Sequence, residues 1–189
     1  MNRDLLANPA PLGLMGFGMT TVLLNIHNAG FFPLSAMILA MGLCYGGLAQ
    51  VLAGLLEFKK GNTFGLTAVV SYGFFWITLV ALWVMPKLGW SEPTPPAYMG
   101  CFLLLWGLFT AFMWVGTWRA NRALQVIFGS LTLLFVLLAI RDFSGNALIG
   151  VIAGYEGIFC GLSAIYLAMA EVLEAQYGRP VLPIGQPRG

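Results

Sequence analysis

Four stretches of this chain contain no Asp, Glu, Lys or Arg: Leu5 to Leu56, Gly61 to Pro86, Pro93 to Trp118, and Ala123 to Ile140. A water-soluble fold is excluded, because soluble domains carry charge on about 25% of their residues. Here the charged share is 8% of 189 residues and the hydrophobic share 59%. A bilayer is the solvent that fits, since a helix crosses its hydrocarbon core with about 20 apolar residues.

The first stretch is too long for one span at about 1.5 Å per residue, and Asn28-Ala29-Gly30-Phe31-Phe32-Pro33 is its one good break. Helix 1 is expected over 11–28 and helix 2 over 33–57, with Pro33 suited to a first helical turn. Lys59-Lys60-Gly61-Asn62 turns the chain into helix 3, which ends at Met85-Pro86. The loop holding Pro93, Pro95 and Pro96 cannot be helical throughout. Helices 4, 5 and 6 are expected over 98–117, 122–140 and 146–173. The expected fold is all-α, a polytopic membrane protein with six transmembrane helices. Its parts are a cytoplasmic N-terminal segment over 1–10, a six-helix transmembrane domain over 11–175, and a flexible cytoplasmic tail over 176–189 that is rich in Pro and Gly. Asp4 weakens a positive flank before helix 1, which reads as a retained span and not a signal peptide.

Cytoplasmic loops accumulate Lys and Arg. One side of this layout carries Arg3, Lys59, Lys60, Arg119, Arg122, Arg179 and Arg188, the other only Lys87 and Arg141. Both termini are therefore expected in the cytoplasm. Trp83 and Trp90 toward the outer side, and Trp114 and Trp118 toward the inner, suit interfacial belts. Lys and Arg nowhere cluster as a nucleic-acid footprint requires. Cys44, Cys101 and Cys160 are too widely spaced for a disulfide framework or a zinc site, so no metal and no cofactor is expected. A membrane enzyme would need an HExxH, a nucleophile elbow, paired carboxylates or a nucleotide loop, and none appears. That leaves a membrane enzyme without a motif to support it, and a non-transporting scaffold as a further alternative.

The string Asn8-Pro9-Ala10-Pro11-Leu12-Gly13-Leu14 opens helix 1. Gly46-Gly47-Leu48-Ala49-Gln50 and Ala53-Gly54-Leu55-Leu56-Glu57 lie along helix 2, Gly61-Asn62-Thr63-Phe64-Gly65 enters helix 3, and Ser71-Tyr72-Gly73-Phe74-Phe75-Trp76 occupies its middle. In these segments the chain resembles the acetate uptake transporter family, especially its bacterial succinate/acetate permeases. The resemblance implies uptake of acetate and related small carboxylates, succinate included, across the bacterial inner membrane. It also implies proton coupling and a homo-oligomer, a hexamer by analogy. Fungal relatives have in addition been connected with ammonium export.

Read without the family, the spans hold no buried Arg or Lys, so a solute would be met by hydroxyls, amides and apolar walls. Such a path suits a small weak acid, because a charge at mid-membrane costs several kcal/mol. In helix 1, Thr21, Asn25 and Asn28 share a face at spacings of four and three. With Thr20 they are candidates for hydrogen-bonding a carboxylate, the alternative being helix-helix hydrogen bonds of about 0.6 to 2 kcal/mol each. His27 is expected at the outer interface. Gln50 sits among the glycines of helix 2 and faces either the path or a neighbouring helix, and Glu57 reads as an interfacial charge beside Lys59 and Lys60. Glu156 is the one acidic residue deep in a span, which makes it the candidate for proton coupling; Glu171 and Glu174 fall at the inner edge and are expected to be solvated. Phe17-Gly18-Met19-Thr20, Phe64-Gly65-Leu66-Thr67 and Phe128-Gly129 hint at three related hairpins. Phe17, Tyr72 and Leu131 fall at similar depth on the outward-running helices. They are the candidates for a hydrophobic constriction of the kind that blocks hydrated ions by dewetting, with the Tyr72 hydroxyl able to hydrogen-bond a passing carboxyl. No span shows the broken helix that alternating-access carriers use, which favours a channel-like route.

Overall fold

A computed structural model describes residues 6–186. Arg3 and Arg188, two of the residues used to assign orientation, lie outside the described residues, as do the first half of the 1–10 segment and the end of the tail.

In hydrocarbon every backbone N–H and C=O must be satisfied internally, which an α-helix does within one segment. The described chain meets this demand with helices alone: α1 (Ala10–Asn28), α2 (Ala36–Lys60), α3 (Thr63–Leu88), α4 (Pro96–Gly116), α5 (Arg122–Ser144) and α6 (Ala147–Tyr177). The last five are long and apolar enough to cross a membrane, and the chain is an all-α, multi-pass membrane protein. The helix α1, which carries Thr20, Thr21, Asn25, His27 and Asn28, is the more polar one and is not among those five.

Local chemistry sets the helix ends. Asn62, Asn121 and Asn146 accept hydrogen bonds from Gly65 N, Leu124 N and Leu148 N and so cap α3, α5 and α6. Gly61 and Gly145 close α2 and α5 at φ of +68° and +66°, where a side chain would be strained. Several boundaries differ from expectation. Helix α2 starts at Ala36, not residue 33: Ser35 before it is extended at φ −131° and ψ 168°, and His27 Nδ1 donates to the Phe32 carbonyl at 2.9 Å within the connection. Helix α5 continues to Ser144, placing Arg141 and Asp142 in its last turn and not in a loop. Inside α2, Cys44–Ala49 winds as a π-helix, an irregularity that the run of apolar residues did not announce.

The helices close into a ring in chain order. The longest packing runs between α1 and α6, with α2 on α3, α4 on α5, and α5 on α6 next. Small residues permit the closest crossings: a Cβ at Gly18 would lie 2.7 Å from the Gly161 carbonyl oxygen, and one at Gly161 equally close to that of Gly18. The α3 and α4 backbones approach each other least. Aromatic side chains fill that seam, with Phe75 stacked on Phe102 at 5.8 Å and set edge-on to Trp106 at 5.2 Å.

The tail expected to be flexible is tied down along part of its length. Ile184 and Gly185 carbonyls accept from the Ala123 and Arg122 amides at 3.1 and 2.8 Å, and Tyr166 donates its hydroxyl to Pro183 O at 2.8 Å. The first-turn amides of α5 have no partner within their own helix, and the tail supplies one.

Candidate functional site: two cavities joined at an apolar neck

Inside the ring lie two cavities, one toward each end, named outer and inner after the orientation expected from the basic residues. The outer one, of about 230 Å³, is lined by Thr21, Asn25, His27 and Asn28 of α1, by apolar and aromatic residues of α3, α4 and α5, and by Arg141 at its lip. The inner one, of about 190 Å³, is lined by Gln50 and Glu57 of α2, Asn62, Phe64 and Phe128, and Glu171 of α6. Each has room for several groups of water size, at roughly 30 Å³ apiece. Phe17, Tyr72 and Leu131 line both. One residue from each of α1, α3 and α5 therefore stands where the cavities meet, at 7%, 4% and 3% exposure.

The neck is held by its neighbours. The Tyr72 ring lies 6.0 Å from Phe17, 5.6 Å from Phe109 and 6.1 Å from Phe128. Its hydroxyl donates to Thr110 Oγ1 at 3.0 Å, which passes its own proton to Trp106 O at 2.7 Å. The phenolic proton is thus committed to α4, and the oxygen lone pairs are what Tyr72 can offer a solute.

The polar face of α1 turns into the outer cavity. Asn25 Nδ2 donates to Thr21 O at 2.9 Å, and Asn28 Nδ2 donates to Asn25 Oδ1 at 3.0 Å. Asn25 lies flat over Gly157 of α6, where no Cβ would fit. The Thr21 hydroxyl and the Trp76 indole N–H, both buried, have no partner among the described residues. Buried polar groups are seldom left unsatisfied, and these two belong to residues lining the outer cavity. Thr20 is not part of this face: it is fully buried against α2, with Oγ1 3.5 Å from Met41 O and beside Gly46.

Gln50 lines the inner cavity at 2% exposure, its Oε1 without a partner among the described residues. Two acidic residues read as solvated or interfacial are instead part of this chamber. Glu57 is 1% exposed and accepts from Asn62 Nδ2 at 2.8 Å. Glu171 accepts from Asn8 Nδ2 at 2.8 Å, and Lys60 Nζ donates to Asn8 Oδ1 at 2.9 Å. A signal was available in the sequence: Glu57 stands seven residues after Gln50, two helical turns along the same face. Glu156 lines neither cavity. It is half-buried on α6, and both its carboxylate oxygens lack a partner among the described residues. The three Phe-Gly pairs are not equivalent either, since Phe64 and Phe128 line only the inner chamber while Phe17 stands at the neck.

Residues 1–184 match the sequence profile of the GPR1/FUN34/yaaH family. The succinate-acetate/proton symporter SatP of Escherichia coli (strain K12) is 62% identical over 186 residues, which is 98% of this chain and 99% of that protein. Acetate permease A of Emericella nidulans is 34% identical, over 94% of this chain and 65% of its own length. Among solved structures, that of the bacterial acetate channel SatP superposes with a TM-score of 0.94 at 63% identity, covering 95% of this chain and 99% of that one.

Proposed function

The chain belongs to the GPR1/FUN34/yaaH family, and from that premise we propose that it carries acetate and related small carboxylates, succinate among them, inward across the bacterial inner membrane. The observation that carries this reading is the pair of cavities meeting at Phe17, Tyr72 and Leu131. No charged side chain stands at that neck, so a hydrated anion faces a dewetting barrier there and a desolvation cost of several kcal/mol. A small acid crossing in its neutral form avoids both and brings its proton with it. Such passage links uptake to protons without a relay in the protein, and it accords with both a proton symporter and a channel among the relatives. Asn25 and Thr21 on the outer side, and Gln50 on the inner, are the hydrogen-bonding stations of this path.

The membrane layout goes with it. All six helices span, α1 included, because its polar face turns into the ring's cavity and its glycines pack on neighbouring helices, Gly16 on α2 and Gly18 on α6. Lys59, Lys60, Arg119, Arg122 and Arg179 stand at the end holding the inner cavity, which favours cytoplasmic termini. The working assembly is a homo-oligomer, a hexamer by analogy, with one path per protomer.

Uptake of radiolabelled acetate by proteoliposomes holding only this protein tests the reading. The expected result is uptake driven by an inward acetate gradient, enhanced when the outside is more acidic. Liposomes with the protein that fill no faster than empty ones, at every imposed pH gradient, would reject it.

A further inference from the structure

The outer lip carries a cation that the path as described does not use. Arg141, in the last turn of α5, lines the outer cavity, and its side chain is 31% exposed. Its Nε donates to Asp142 Oδ1 at 2.7 Å. Neither of its Nη atoms has a partner among the described residues. The guanidinium offers two edges for a carboxylate; Asp142 occupies the Nε side, and the end-on pair of Nη groups stays open. The aliphatic stem rests against α6 at Gly150, where a Cβ would come within 2.9 Å of Arg141 Cδ. An absent side chain on α6 thus lets the stem lie down beside the cavity.

We propose that Arg141 is the external docking point for the substrate anion, a small carboxylate received end-on by the Nη pair before it enters the outer cavity. This rests on the carboxylate uptake proposed above. The chemistry is complementary to that path: at neutral pH nearly all of a carboxylic acid in solution is anion, while the neck admits the neutral form. A cationic lip gathers the abundant species at the place where its protonated partner is drawn off. The charged and titratable groups facing this lip are few. Asp142 neighbours Arg141 on α5, His27 reaches the same cavity from α1, and Lys87, in the last turn of α3, lies on the far side of Arg141. Helices α6 and α4 present Gly150 and Met99 there, which carry no charge. Asp142 weakens the site by competing for the guanidinium, so its removal and that of Arg141 should act in opposite senses.

Acetate uptake by proteoliposomes is measured for the parent protein, Arg141→Gln, Arg141→Lys and Asp142→Asn, in about 0.01 M and about 1 M salt, where charges are screened beyond about 30 Å and 3 Å respectively. At low salt Arg141→Gln should raise KM about three- to tenfold with the maximal rate kept, Arg141→Lys should recover part of the loss, and Asp142→Asn should lower KM about twofold. At high salt the variants should converge on the parent. An Asp142→Asn improvement cannot come from damage to the fold, so the inference stays testable if Arg141→Gln fails to assemble. A low-salt KM equal to the parent's in Arg141→Gln, or one not lowered in Asp142→Asn, overturns it. No uptake by the parent would instead reject the proposed function, and the docking point with it.

Discussion

At the scale of single residues, the neck sets what passes. Phe17, Tyr72 and Leu131 differ in how firmly they are held: Tyr72 is fixed by Thr110 and a surround of rings, whereas Leu131 has only apolar contacts. Shortening Leu131 or Phe17 to Ala joins the two cavities through a wider opening. A cavity-forming core substitution of this type costs about 2 to 5 kcal/mol in a closed interior, and less here, because space already exists on both sides. We expect each Ala variant to take up lactate or succinate faster relative to acetate, at a folded yield near the parent's, in competition assays on the same proteoliposomes. Reduced yield with an unchanged substrate ratio would make these residues core packing. Glu156 illustrates the opposite case. Its isolation in an apolar span marked it for proton coupling, but it lines neither cavity. Glu156→Gln is therefore expected to leave the pH profile of acetate uptake intact, and a flattened profile in folded protein would return the proton role to it. Much of this site was legible because depth along a helix follows directly from residue number, which brought Phe17, Tyr72 and Leu131 to one level. What residue number does not carry is rotation about the helix axis: Thr20 and Thr21 are neighbours, yet one faces α2 and the other the cavity.

At the scale of elements, α2 departs furthest from an ideal rod. Its π-helical Cys44–Ala49 adds a residue to the turn and pushes the Tyr45 carbonyl toward α1. Gly16 receives it: a Cβ there would lie 2.6 Å from Tyr45 O and 3.4 Å from Gln50 Cγ. Backbone cannot move aside as a side-chain tip does, so Gly16→Ala must separate α1 from α2 or straighten the π-turn. Either costs on the order of 1 to 3 kcal/mol and shifts Gln50. The expected outcome is a lower melting temperature in detergent together with slower acetate uptake. Gly107→Ala, whose Cβ would meet no backbone, only the Phe135 Cβ at 3.3 Å and Val136 Cγ2 at 4.0 Å, serves as the milder control. A Gly16→Ala protein as stable and active as Gly107→Ala would show that the α1–α2 crossing has room for a side chain. Helix number and sequence order were readable because charge-free runs and Pro or Gly breaks report directly on the solvent. The π-turn was not, since its cause is the fit between two backbones and not the composition of either. The same holds for the tail, whose Pro-Gly composition suggested freedom while its carbonyls cap α5.

At the scale of the whole molecule, the outward surface of α6 carries a continuous row of large apolar and aromatic side chains. Between residues 148 and 170 the exposed positions are Leu148, Ile152, Tyr155, Phe159, Leu162, Tyr166 and Met169, alternately four and three apart. A repeat averaging 3.5 residues is the seam of helices that wrap around one another. Any helix buried on its other face exposes residues at that spacing; what this face adds is a row of aromatic side chains, Tyr155, Phe159 and Tyr166. Glu156 sits beside this stripe with both carboxylate oxygens unpartnered among the described residues, and an unpaired buried acceptor costs about 1 to 3 kcal/mol. A donor from a second copy of the chain would relieve it. The stripe is therefore the expected contact between protomers in the proposed homo-oligomer. Tyr155→Ala combined with Phe159→Ala removes two of its large side chains without touching the neck or either cavity. The assembly should then fall from its oligomeric mass toward that of a single chain, as measured by light scattering or native mass spectrometry in mild detergent, while each protomer keeps its helical content. If the mass stays at the parent's value, α6 faces lipid, and the protomers meet through another helix.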